Sequence, residues 1–490
     1  MTLINKLVMH GFKSFAKRTE LPFSNEFNIV IGPNGSGKCL TGDAVVTRAD
    51  GPLVRIDELV ERQVAKGSTK LDDGVKAKGD GTEILCLDMN TLKVVPRQIN
   101  YFIKRTSPRE LYKIRSRSGR GITVTPSHPF FLQKNGNLHA VRADELKEGI
   151  RIAVPREIPT QSKSKSFRER LHLIKPTDQL YIPTNEKFID IIKDSKNKSG
   201  LQWRAFAAKA KVPERAVDGI LQGQSGNFSY VIRLLLFSGI SENQLMRMIP
   251  EVKGKTSGIV CRMPWSNNPE LARLLGYLLA EGRVTSGNQI WFSNGTEELV
   301  VDYANLMKSV FGLRTTTNEY KTGCWDVLAY SHAAIVLLTK MGMAIGGTEK
   351  RTVSNLILSS SGTEELAELL NGLICGDGYI SGSSIEITTK SKQLGFSIES
   401  ILARLGIAYR SVWHVKIATN SGFSGLYRTI RVYGVVNHQR FAETVNLRHK
   451  LKQKRVEALL TKKSNSNADV IELNSLVRKT TKELGLSVKT

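Results

Sequence analysis

Cysteine is scarce in this chain. Five are spread over 490 residues, Cys39, Cys86, Cys261, Cys324 and Cys375, an odd number with no C-x-x-C pair. That usage excludes a disulfide framework and a cysteine zinc site, and it points to a reducing compartment. Long hydrophobic runs are absent too. Nothing approaches the roughly 18 apolar residues of a membrane span, and Met1 to Lys6 has no apolar signal core. The chain reads as soluble and cytoplasmic. Acids are the third shortage: 45 Asp and Glu stand against 71 Lys and Arg, a net charge of +26. An excess of that size points to a polyanionic partner, nucleic acid first, because phosphate neutralisation drives such binding. With 40% hydrophobic residues the chain affords sizeable cores. At roughly 150 residues per domain, its length suits about three of them.

What is present begins with Gly32-Pro33-Asn34-Gly35-Ser36-Gly37-Lys38. This is the start of a phosphate-binding loop, G-x-x-x-x-G-K-[ST], preceded by the short apolar strand Phe27–Ile31. In such a loop the backbone N–H groups cradle phosphates, the Lys meets the β/γ-phosphates, and a terminal hydroxyl holds Mg²⁺. Gly32, Asn34, Gly35, Gly37 and Lys38 are the candidate ATP-phosphate ligands. The eighth position is Cys39, a thiol where a hard cation wants oxygen. Either the loop is degenerate or something begins at Cys39 that does not belong to it. Residues 1–38, with Gly11-Phe12-Lys13-Ser14-Phe15 before the loop, resemble the N-terminus of the structural-maintenance-of-chromosomes ATPases. The resemblance implies a dimeric, ATP- and Mg²⁺-binding host. The residues after Lys38 supply neither the Ser nor the helix that family requires. No ATPase activity is expected from the chain as it stands.

From Cys39 the pattern changes to short strands, among them Ala44–Thr47, Ile84–Asp88, Leu111–Arg115 and Ile122–Thr125, punctuated by Gly-containing turns. That is an all-β signature. A thiol next to its own upstream peptide bond can attack the Lys38 carbonyl and convert the amide to a thioester. The step needs a group that polarises the amide and an acid for the leaving amine. A Thr hydroxyl and an imidazole, Thr125 and His128 in Thr125-Pro126-Ser127-His128, suit those roles. Cys39-Leu40-Thr41-Gly42-Asp43, then Gly121 to Phe130, then Val141 to Gly149 resemble, in order and spacing, the N-terminal blocks of an intein. The resemblance covers roughly residues 39–156. It implies a horseshoe-shaped β-fold (the Hint domain) in which Cys39 performs an N–S acyl shift assisted by Thr125 and His128. It also accounts for the broken loop, as an intein inserted after Lys38.

Residues 161–262 form a basic insert. Lys163, Lys165, Arg168, Arg170 and Lys175 lead in, and the stretch from Trp203 to Leu221 has helical spacing with a break at Val212-Pro213. Phe206, Ala207, Ala210, Val217, Ile220 and Leu221 are its apolar positions. The pattern suits a helix-turn-helix whose second helix enters a DNA groove.

Leu271 to Gly282 is an apolar helix ending in Glu281, and about 96 residues further on Leu369 to Gly378 repeats the design with Asp377. Gly276 and Ala280 in the first, and Gly372 and Gly376 in the second, let two helix backbones approach closely. Each helix then delivers a carboxylate at its C-terminal end, where the helix dipole disfavours an anion. Two such carboxylates side by side call for a cation, the design of a metal site for phosphodiester cleavage. Strand-and-helix segments repeat after each, near Glu297–Phe311 and near Lys392–Leu405, implying an α+β domain with a pseudo-two-fold. The two stretches resemble the LAGLIDADG motifs of homing endonucleases, which commonly sit inside inteins. The resemblance implies Mg²⁺ at Glu281 and Asp377, double-stranded DNA as partner, and a basic catalytic residue, for which Lys350 or Arg351 is the candidate, with Lys450 a weaker one for the other site. Glu281 departs from the usual Asp, and Cys375 stands where Asp is frequent.

The domain reading is therefore 1–38 host segment, 39–160 splicing part, 161–262 insert, 263–455 endonuclease and 456–490 basic linker and helical tail. The closing intein blocks with their His-Asn pair are not found before Thr490, so a remaining C-terminal portion is expected on a separate or longer chain.

Overall fold

The computed structural model describes residues 6–9, 19–22, 39–107, 110–134, 137–160, 174–256, 258–285, 287–343, 347–417, 424–462, 480–481 and 483–484. The phosphate-loop residues Gly32, Asn34, Gly35, Gly37 and Lys38, the strand expected at Phe27–Ile31, the basic lead-in from Lys163 to Arg170 and most of the tail lie outside them. The chain divides into two units. One comprises Met1–Ala49, Val54–Pro155 and Ser466–Thr490, the other Asp50–Leu53 and Arg156–Asn465.

The first unit is built from short antiparallel ladders. Tyr112–Arg115 pairs with Gly121–Val124, Pro129–Lys134 with Asn137–Arg142, and Glu83–Leu87 with Val94–Gln98. Thr69–Leu71, Gly74–Lys78 and Tyr101–Arg105 form a three-stranded sheet. These are the strands that β-branched runs between turn residues predict. The all-β expectation needs one correction, the helix Ile56–Val64. Its apolar residues recur at helical spacing, Asp57 and Glu58 sit in its first turn, and Leu59 and Val60 are buried. With Ala77 and Phe102 they form the unit's small core.

The second unit contains the same seven-element run twice. Helix Pro269–Glu281 is followed by strands Gly282–Val284 and Gln289–Asn294, helix Glu297–Phe311, strands Thr316–Lys321 and Cys324–Tyr330, and helix His332–Lys340. The second copy is Thr363–Asp377, Tyr379–Ile380, Ser384–Thr389, Lys392–Arg404, Tyr409–Ile417, Ser424–Tyr433 and Val435–Thr444. Each copy makes a four-stranded antiparallel sheet whose strands, numbered within the copy, lie in the order 1-2-4-3. Strand alternation sets the faces: Ile290 and Phe292 in one copy, Ile385 and Ile387 in the other, turn into the core.

The insert is not set apart from this repeat. Strands Gly226–Asn227, Leu180–Ile182, Glu251–Gly254 and Val260–Arg262 form a sheet on which helix His332–Lys340 packs. One continuous hydrophobic core runs from Ile174 to Leu459. Within it sits a buried ionic network. The Arg273 guanidinium donates to Asp302 at 2.9 Å and to Glu368 at 2.6 Å, and the Tyr277 hydroxyl donates to Asp302 at 2.8 Å. Both acids are needed there, since a buried guanidinium is tolerated only when paired and hydrogen-bonded.

Among the described residues no helix is long and apolar enough to cross a membrane.

Candidate functional site

Two sites emerge, one in each unit. In the first unit, Leu40 bridges to Val124, and Thr41 N–H donates to Thr123 O at 3.1 Å. The residues after Cys39 are thereby pinned alongside Gly121–Val124. This registers Cys39 opposite Thr125. The Cys39 N–H, the nitrogen of the Lys38–Cys39 peptide bond, donates to the Thr125 hydroxyl oxygen at 2.9 Å. Thr125 N–H and the Thr125 hydroxyl donate in turn to the Cys39 carbonyl, at 3.1 and 3.3 Å. Thr125 is only 5% exposed, so these bonds act out of water. The turn closes with His128 N–H on the Thr125 carbonyl at 3.0 Å, and Ala143 N–H on the His128 carbonyl at 2.9 Å. The His128 ring stands edge-on to Phe130, centroids 5.7 Å apart. Burial pushes the Cys39 thiol up from its ordinary value, offset by the positive charge of Arg105 and reinforced by Asp73. The Lys38 carbonyl lies outside the described residues.

In the second unit the helices Pro269–Glu281 and Thr363–Asp377 meet along their small residues. A Cβ placed on Gly276 would fall 2.9 Å from Gly372 Cα, and one on Gly372 would fall 2.9 Å from Gly276 Cα. Only glycine fits at both positions. Gly376 faces Ala280 one turn further along. Each helix then ends in its acid and passes at a glycine, Gly282 or Gly378, into extended backbone. Glu281 and Asp377 are brought to the same end of this seam, near enough for the Glu281 charge to act on the Asp377 carboxyl. Burial first, then the Glu281 charge, push the Asp377 carboxyl up to about 7, with Arg351 and Lys452 pulling the other way.

Two cations close the helix ends in matching fashion. The Arg351 guanidinium donates to the Ala280 and Gly282 carbonyls and lies 3.7 Å from Asp377 Oδ2. The Lys452 ammonium donates to the Ile374, Cys375 and Gly376 carbonyls at 2.9, 2.7 and 3.0 Å. Each satisfies orphan carbonyls and opposes the negative end of a helix. Burial pushes the Lys452 ammonium down from its usual value. Of the two basic candidates before the second acid helix, Arg351 is the one at the carboxylates. Lys350 is exposed, and its backbone N–H bonds Gly347 O at 2.9 Å. Lys450 is likewise exposed and pairs with Glu298 at 3.7 Å. Sequence reasoning passed over Lys452, although the cluster of bases from Arg448 to Lys463 was a signal for it. Cys375 is buried, its thiol donating to Asn371 Oδ1 at 3.2 Å.

Among the described residues no group of three or more His, Cys, Asp or Glu gathers to hold a metal by itself. A two-carboxylate site nonetheless fits a hard divalent cation such as Mg²⁺, which is ordinarily held by one or two carboxylates together with substrate phosphates. The sheet of the second copy carries exposed bases. Arg410 and Arg431 are both exposed and directly opposed in the ladder, and Lys416 follows on the same strand face as Arg410. Arg431 already has an anionic partner within the sheet, Glu386 at 3.1 Å. In the other copy Arg283 stacks on Trp291, 4.2 Å from its ring centroid.

The family model described as "Intein splicing domain" matches residues 45–480. The chain belongs to that family, as the blocks around Cys39, Thr125 and His128 led one to expect. It is 23% identical over 397 residues to an A-type ATP synthase subunit of Methanopyrus kandleri, covering 79% of this chain and 38% of that protein. To the DNA polymerase of Thermococcus kodakarensis it is 30% identical over 449 residues, covering 78% and 25%. A replication factor C small subunit from Pyrococcus horikoshii is 35% identical over 153 residues, covering 31% of this chain and 16% of its own length. The chain thus spans well under half the length of these curated relatives. Among solved structures, the PabCDC21-1 intein matches with 33% identity and a TM-score of 0.23, over 24% of this chain and 71% of that one. The homing endonuclease I-DmoI in complex with DNA and Mn matches with 16% identity and a TM-score of 0.26, over 36% and 96%.

Proposed function

We propose that this chain is an intein whose first unit cleaves its own N-terminal junction and whose second unit cuts duplex DNA. The observation that carries the DNA-cutting reading is the meeting of Glu281 and Asp377 at the ends of two helices in glycine contact. Glu281 and Asp377 would hold the divalent ion, Mg²⁺ as the natural choice. When bound, it supplies charge neutralisation and a more acidic water for phosphodiester hydrolysis. Arg351 and Lys452 keep the helix ends closed and offset charge at the acids. Exposed bases on the sheets, Arg410 and Lys416 in one copy and Arg283 in the other, contact the duplex backbone. One acid from each copy suits a site that straddles both strands.

In the splicing unit, Cys39 is the nucleophile toward the Lys38 carbonyl. Thr125 holds the scissile nitrogen, and His128, fixed in the same turn, delivers the proton to it. Relatives named for an ATP synthase, a polymerase and a replication factor align with most or part of this chain but only a minor part of themselves. An element inserted into unrelated hosts fits that pattern. The first 38 residues support a structural-maintenance-of-chromosomes ATPase as the host, with its ATP- and Mg²⁺-binding loop, dimeric state and cytoplasmic setting belonging to the spliced product.

The test is direct. With Mg²⁺, the protein should linearise a plasmid carrying the uninterrupted host sequence around the Lys38 codon, and Glu281→Gln or Asp377→Asn should slow cleavage by about 10²–10³-fold. Uncut plasmid, or cutting unaffected by both substitutions, rejects the nuclease reading.

A further inference from the structure

The insert holds a second arrangement that the two-carboxylate site does not use. Helix Trp203–Lys209 is joined to helix Glu214–Leu221 by Ala210-Lys211-Val212-Pro213. The first helix ends in a left-handed turn: Lys211 has φ +57°, its N–H donates to Ala208 O at 3.0 Å, and Val212 N–H donates to Ala207 O at 2.9 Å. Phe206, Ala207, Ala210, Val212, Val217 and Ile220 bury the inner angle of the pair. Helices Glu186–Ser199 and Phe228–Phe237 back it, and Arg233 donates to the Lys211 carbonyl at 3.0 Å, locking the turn. The outer face of the second helix is left to solvent. Glu214, Arg215, Asp218 and Gln222 are all exposed, with Arg215, Asp218 and Gln222 spaced i, i+3, i+7.

The turn residue is the telling one. At φ +57° glycine is free of steric cost and lysine is not. Lys211 places an exposed ammonium just ahead of the outward helix, with Lys209 exposed beside it. We propose that Glu214–Leu221 is a recognition helix that enters the major groove of a duplex segment of its own, Lys211 contacting a phosphate and Arg215, Asp218 and Gln222 reading base edges. The side-chain types suit base readout, since Arg pairs with guanine, Asp accepts from the cytosine amino group, and Gln pairs with adenine. The proposal deepens the DNA-cutting reading, on which it rests for the class of partner, by assigning sequence readout to the insert.

The experiment uses the full chain, in EDTA, with a pool of duplexes of randomised core, followed by anisotropy on the enriched duplex. The parent should enrich a defined sequence. Lys211→Gly should weaken binding about 5- to 10-fold and lower the salt slope by about one, with an unchanged or higher melting temperature. Arg215→Ala should cost about 10- to 100-fold and relax preference at one base pair. Arg215→Lys should keep the salt slope and lose the preference. No enriched sequence, or variants that bind and discriminate like the parent, overturn the proposal. Because binding is read without metal, failure to cut DNA would count against the endonuclease reading alone.

Discussion

At the residue scale, the proposed splicing junction turns on one hydroxyl. The Thr125 oxygen is 2.9 Å from the Cys39 nitrogen, the leaving amine of the proposed acyl shift. Thr125→Val keeps the β-branched shape and removes that partner. Thiol-induced cleavage at Lys38–Cys39, followed by gel and mass spectrometry, should slow by about 10²-fold. Asp377 makes a prediction in pH. Its folded pKa, about 7, is raised above the ordinary carboxylate value by burial and Glu281. The native state therefore binds more protons than the unfolded state between about pH 4 and pH 7, and this group's contribution to stability falls as pH rises through that window. In a metal-free calorimetric series, the parent should lose more stability than Asp377→Asn as pH rises through that window. That Cys39 meets Thr125 and that the two acid helices meet was legible because the proposed chemistry needs those residue types at those spacings. Arg351 over Lys350 and Lys452 over Lys450 were not, because the choice depends on which side chain reaches a neighbouring helix's carbonyls.

At the element scale, the acid helices act as one object. Gly276→Ala puts a methyl against Gly372 and the Leu369 carbonyl, both backbone and unable to yield. It should destabilise the second unit by about 1–3 kcal/mol and abolish DNA cutting, as read by denaturant melts and plasmid assay. Lys452→Met removes a cation from three helix-end carbonyls. Its cost should be about 1–3 kcal/mol, since hydrogen bonds to a charged group are the ones at stake. The repeat of strand and helix after each acid helix could be read from alternation and spacing, and helices stand at Glu297–Phe311 and Lys392–Arg404 as those patterns suggest. Helix Ile56–Val64 could not be read so simply. Nine residues amid β-rich segments give a weak periodic signal, and packing against Ala77 and Phe102 decides the outcome. Nor could the sequence show that the insert shares a core with the repeat, because buried Cys261 and Val252 reach it through strand pairing rather than local pattern.

At the scale of the whole molecule, the two proposed chemistries fall in two units with separate hydrophobic cores. Cys39 draws its hydrogen-bond partner from Thr125 in its own unit, while Glu281 and Asp377 depend on a helix seam confined to the other. Neither site borrows a group from the other's mechanism. Damage to one should therefore leave the other working. Cys39→Ala should abolish thiol-induced cleavage and leave plasmid cutting at the parental rate. Asp377→Asn should do the reverse in the same pair of assays. The net charge of +26 adds a condition to the second assay. A duplex held through six to ten phosphates loses roughly 10³–10⁵-fold in affinity between 50 and 200 mM salt, so cutting at subsaturating protein should fall steeply over that range. Thiol-induced cleavage involves no polyanion and should be flat across it. A matching salt dependence in both assays would mean that the two units do not act independently.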